Sequence, residues 1–68
     1  MSTKMTKTEA IDLFGSPSDT ARALGISRQA VWLWPNELGN GTVSRIVTAL
    51  MIEKRSKEAG EIIKRYLK

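Results

Sequence analysis

Apolar residues recur along this chain at spacings of three and four, and nowhere do they alternate with polar ones long enough to mark a strand. Ala10, Leu13 and Phe14 share one side of a helical wheel, with Ile11 at its edge. Ala21 and Leu24 make a second, shorter stripe, and Ala30, Val31 and Trp34 a third. Val43, Ile46, Val47 and Leu50 make the fourth; Ala59, Ile62, Ile63, Tyr66 and Leu67 make the fifth. Five stripes of helical period predict an all-α fold of five short helices with no or minimal β structure.

The residues between the stripes say where each helix starts and stops. Thr6 and Glu9 have the spacing of a capping box for the first helix, which Gly15 closes. Ser16 is an N-cap residue followed by Pro17 at the first helical position, where a missing N–H costs nothing. Gly25 ends that second helix, because glycine takes a left-handed conformation without steric cost. Ile26 is apolar within the turn, Ser27 caps the third helix, and Pro35 stops it. Asn36 to Gly41 reads as a loop anchored by Leu38. Thr42 is the expected cap of the fourth helix and Ser56 of the fifth. Ile52 falls on the opposite side of the fourth helix from Val43 and Leu50, so either the helix stops before it or it meets a partner. Gly60 costs the fifth helix about 1 kcal/mol relative to Ala, and close packing is its expected compensation. Glu61 and Arg65 pair along the outside of that helix. Residues 1–6 are polar, basic and without period, and are expected to form a flexible tail.

Composition narrows the chemistry. At 68 residues the chain is a single domain, too small for two cores. It has no cysteine and no histidine, which removes disulfides, thiolate or imidazole metal ligands and the commonest general base. With seven scattered carboxylates and no catalytic constellation, neither an enzyme nor a metal, cofactor or small-molecule substrate is expected. Eleven Lys and Arg against seven Asp and Glu give a net charge of +4, which points to a polyanionic partner. No apolar run reaches the length of a membrane span or signal-peptide core, so the expected setting is the cytoplasm, with no membrane partner.

Pro17 to Trp34 is thus helix, glycine turn, capped helix, the layout of a helix-turn-helix. Small Ala21, Gly25 four residues on, apolar Ile26, apolar Val31 and bulky Trp34 resemble the helix-turn-helix of Cro and lambda-repressor-type phage regulators. Phe14-Gly15 and Ala23-Leu24-Gly25-Ile26-Ser27 are similar to the small Cro proteins of lambdoid phages. The likeness covers roughly residues 8–48 and fades in the C-terminal third. It implies a sequence-specific transcriptional repressor that occupies double-stranded operator DNA in a host bacterial cell. It also implies two-fold symmetric operators, and so a weak homodimer that forms on DNA.

In such a motif the second helix lies in the major groove. With Val31 and Trp34 facing inward, residues 27–34 offer Ser27, Arg28, Gln29, Trp32 and Leu33 for contact with base edges. Arg pairs bidentately with guanine, Gln with adenine, and apolar side chains touch thymine methyl groups. Phosphate contacts are expected from Ser16 and Ser18 at the start of the second helix and from Asn36, Asn40 and Thr42 after the third. The motif itself carries little net charge, with Arg22, Arg28 and Asp19 nearly cancelling. Of the positive charge after residue 53, Lys54 to Lys57 is assigned to phosphate and Lys64 to Lys68 to a solvated face. Two other readings stand beside this one: an excisionase-like or antitoxin-type DNA binder of prophage origin, and a small helical protein-interaction domain using Trp32, Leu33 and Ile52 as an apolar patch.

Overall fold

A computed structural model describes residues 4–67. Five helices follow one another: α1 (Lys7–Phe14), α2 (Pro17–Leu24), α3 (Arg28–Trp32), α4 (Asn40–Ile52) and α5 (Ser56–Tyr66). The fold is all-helical, as the apolar spacing predicts. An isolated antiparallel bridge between Thr6 and Glu37 is the extent of β pairing among the described residues. No helix among them is long and apolar enough to cross a membrane.

The caps are local chemistry. Thr6 Oγ1 accepts from the Glu9 N–H at 3.1 Å, and the Glu9 carboxylate accepts from the Thr6 N–H at 3.2 Å, which completes the capping box. Ser16 and Ser27 accept from the backbone N–H three residues on, each at 3.1 Å. Gly25 sits at φ +69°. Around it the Ile26 N–H reaches Ala21 O at 3.0 Å and the Gly25 N–H reaches Arg22 O at 3.3 Å, a left-handed turn that satisfies the last carbonyls of α2. The end of α4 has the same pattern, with Arg55 N–H on Leu50 O at 2.8 Å and Lys54 N–H on Met51 O at 3.0 Å. There the left-handed residue is Lys54, at φ +61°.

Several boundaries differ from expectation. Helix α3 ends at Trp32, two residues short of Trp34, because the residue before a proline is disfavoured in the α conformation. The N-cap of α4 is Gly39, not Thr42: buried Leu38 pulls the loop inward, Gly39 is extended, and Val43 N–H already bonds Gly39 O at 3.0 Å. Thr42 lies inside the first turn. Arg55, not Ser56, precedes the first turn of α5, held there by its bond to Leu50. Residues 4–6 are not a loose tail. Met5 is buried, its carbonyl accepts from Leu38 N–H at 2.8 Å, and Lys7 N–H donates to Asn36 O at 2.9 Å. Residues 1–3 and Lys68 lie outside the described residues.

Met5, Ala10, Leu38, Val43, Ile46, Val47, Leu50, Ala59 and Ile62 form the core, with Leu13, Phe14, Leu24, Trp34, Tyr66 and Leu67 packed against it. Each fully buried aliphatic side chain contributes about 1.5–3 kcal/mol by leaving water. Helices α2 and α3 pack on each other, and Thr20, Ala21 and Val31 are buried. The Thr20 hydroxyl is satisfied by Ser16 O at 2.8 Å. Ile63 is exposed despite belonging to the fifth stripe. Gly60 has no neighbour where a Cβ would stand, so close packing is not its purpose. Ile52 is the last residue of α4 and is 75% exposed.

Candidate functional site

A five-residue helix does not hold itself together in water, so α3 exists because its surroundings fix it. The Ser27 hydroxyl caps its start, and Val31, wholly buried, anchors its inner side. The 100° step of the helix then sends Arg28, Gln29 and Trp32 outward, with Leu33 just past the end. All are exposed; Trp32 keeps 57% of its surface in water and Leu33 83%. Arg28, Gln29, Trp32 and Leu33 therefore lie on one outward surface, with Ser27 at its N-terminal edge. Two donors or acceptors of fixed type beside two large apolar side chains is a surface able to read polar and methyl groups together.

Trp32 is less free than its exposure implies. The Lys7 ammonium donates to Trp32 O at 2.7 Å and lies 5.1 Å from the centre of the Trp32 ring. Sequence reasoning missed Lys7: nothing in a polar N-terminal run signals a contact to a residue 25 positions on.

The residues assigned to phosphate fall at three points of the fold: the start of α2, the start of α4 and the turn after α4. Ser16 Oγ accepts from Asp19 N–H and donates to the Asp19 carboxylate at 3.0 Å, so its hydroxyl is committed to the cap. Asp19, exposed and 3.5 Å from Arg22, adds negative charge to the first turn of α2 beside exposed Ser18. The start of α4 is different. Gly39 provides no side-chain cap, no acidic residue stands in the first turn, and Asn36, Asn40 and Gly41 are exposed while Thr42 is half-buried. Backbone N–H groups left without intrahelical partners there favour negative charge. Lys54 is exposed at the other end of α4, about 20 Å along the helix from Asn40. Arg55 is spent inside the protein. It donates to Leu13 O at 2.9 Å and to the Glu58 carboxylate at 2.8 Å, and lies over the Phe14 ring.

A cleft of about 360 Å³ between α1 and α5 has the opposite character. Glu9, Asp12, Glu58 and Glu61 outnumber Arg55 and Arg65 on its walls, which disfavours a polyanion. The Tyr66 hydroxyl holds the Glu9 carboxyl below the usual carboxylate range, and burial, with Glu9 beside it, pushes the Tyr66 phenol up. Arg55 likewise lowers Glu58. A second groove is lined by Ala23, Leu24, Ala49 and Ile52 together with Ser44, Arg45 and Thr48, and includes neither Trp32 nor Leu33.

The molecule is thus a small all-helical domain of five helices whose third presents an exposed polar and aromatic surface. Searches of protein-family profiles, curated proteins and solved structures found no match to the chain.

Proposed function

We propose that this chain is a sequence-specific DNA-binding protein that represses transcription by occupying operator DNA, with α3 in the major groove. The observation that carries the reading is the outward surface of α3, where Arg28, Gln29, Trp32 and Leu33 stand together on a helix anchored from behind by Val31. An exposed Trp beside an exposed Leu is costly in water and is accounted for by a bound partner. The net charge of +4 favours a polyanion over a protein surface of mixed charge. Helix α3 reads bases with Arg28, Gln29, Trp32 and Leu33, Ser27 standing at the groove edge. The uncapped start of α4, with Asn36 and Asn40 beside it, receives a phosphate. Repression itself, cytoplasmic action and pairing of two copies on a symmetric site rest on the resemblance to Cro-type regulators.

Selection of bound duplexes from a random pool tests this. A defined, two-fold symmetric consensus is the expected result, with binding that weakens steeply as salt rises. A pool that stays random, or binding indifferent to salt, overturns the reading and leaves the α3 surface to a protein partner.

A further inference from the structure

Lys7 is the first residue of α1, yet its contacts are with the chain that leaves α3. Its N–H donates to Asn36 O at 2.9 Å, and its ammonium donates to Trp32 O at 2.7 Å. The same ammonium lies 5.1 Å from the Trp32 ring centre, within the range of a cation–π contact. One residue thus grips both ends of the segment 32–36. The Trp32 carbonyl lies where α3 runs out of intrahelical donors, and Lys7 supplies the missing one. Trp32 as a whole is over half exposed, and its ring has no other charged group over its face among the described residues. Without Lys7, an indole on the open end of a five-residue helix would sample several rotamers.

We infer that Lys7 is a positioning residue for the α3 surface: its ammonium fixes the Trp32 carbonyl and ring, so the indole is held in one orientation before a partner arrives. This rests on the DNA-binding reading above and adds to it where specificity comes from. A side chain ordered in advance loses less freedom on binding, and an indole held in place meets one arrangement of base-edge methyl groups better than others. Lys7 therefore contributes to preference among sequences more than to attraction for the backbone.

The test labels the full chain with 5-fluorotryptophan, whose two fluorine resonances report Trp32 and Trp34 separately once Trp34→Phe has assigned them. In Lys7→Met the Trp32 resonance should shift while that of Trp34, which packs on the core, stays and reports that the fold is intact. Lys7→Arg, which keeps both the charge and the ability to stack, should restore it. The preference for selected duplex over random duplex should fall about three- to tenfold in Lys7→Met and stay within about twofold in Lys7→Arg. An unmoved Trp32 resonance in Lys7→Met overturns the inference. So does a resonance that moves with no change in preference, or an equal loss of affinity for both duplexes, which would make Lys7 a plain backbone charge. If the unaltered protein binds no duplex, the DNA-binding reading fails first and the positioning role falls with it, even where the fluorine signals show the Lys7–Trp32 contact itself.

Discussion

Tyr66 donates its phenolic hydrogen to a Glu9 carboxylate oxygen at 2.7 Å, joining the last helix to the first across 57 residues. The same carboxylate closes the capping box with Thr6, so one side chain both starts α1 and fastens α5 to it.

Both partners titrate away from their usual positions, and the signs give a pH profile. The pKa of Glu9 is lowered in the folded state by Tyr66, as that of Glu58 is by Arg55. Their stabilisation is fully present above the unfolded carboxylate value of about 4.3 and is lost as pH falls through the folded ones. The pKa of Tyr66 is raised, so its contribution is present below about pH 10 and is lost as pH rises through the folded value. Tyr66→Phe should cost about 1 kcal/mol at neutral pH, shrink the acid limb to what Glu58 and the remaining Thr6 and Arg65 contacts of Glu9 supply, and abolish the Tyr66 part of the alkaline limb. Urea melts of both proteins between pH 2 and 11 would show this, and superimposable profiles would refute it.

Two backbone positions should accept stabilising changes. Gly60 faces open space inside α5, so Gly60→Ala should add about 1 kcal/mol and raise Tm by about 4–8 °C. Lys54 holds the left-handed position at the end of α4, and Lys54→Gly should gain about 1 kcal/mol. On the DNA reading the Lys54 variant also removes one phosphate contact, lowering the slope of log affinity against log salt by about 1. An unchanged slope would take Lys54 off the DNA.

The two tryptophans should respond oppositely to truncation. Trp34 is half-buried and packs against the core, so Trp34→Ala should cost about 2–3 kcal/mol, less than the 3–5 expected of a wholly buried ring. That is most of the stability a domain of this size holds. Trp32→Ala loses exposed surface and the Lys7 contact, and should cost below about 1 kcal/mol while weakening duplex binding. Thermal melts with a DNA titration separate the two. A Trp32→Ala protein that binds at full strength would remove Trp32 from the site.

Arg28 and Gln29 start the exposed surface of α3. Replacing either with Ala should weaken binding to the selected duplex by about 1–3 kcal/mol, with the loss confined to one or two base positions. Binding to a panel of single-base variants reads this directly. An equal loss on random duplex would make that residue a backbone contact.

What the sequence made legible was what is decided within four residues. The Thr6–Glu9 box, the Ser16 and Ser27 caps, and Gly25 in its left-handed turn depend on neighbours alone, and the apolar stripes place Val31, Ile46 and Leu50 inside. The errors share a cause at longer range. Thr42 lost the cap of α4 because Leu38, drawn inward beside Met5, fixed where that helix begins. Met5 itself gave no signal, being one apolar residue in a polar run without a period. Ile63 kept its period, yet the stripe on α5 is wider than the surface available to cover it. Of the site, the outward residues of α3 were legible from the wheel; the contact of Lys7 with Trp32 was not, since it joins separate helices.

The bridge from Thr6 to Glu37, with Met5 O holding Leu38 N–H beside it, closes the chain into a lap around α1, α2 and α3. Closing a lap of about 30 residues carries an entropic cost met once, and opening it anywhere releases both sides together. Hydrogen exchange should therefore find the amides of Lys7 and Leu38 in one cooperative unit, protected to similar free energies. On that expectation the α3 surface opens together with the segment ahead of α1, and a change that loosens Met5 should fray a helix more than twenty residues downstream.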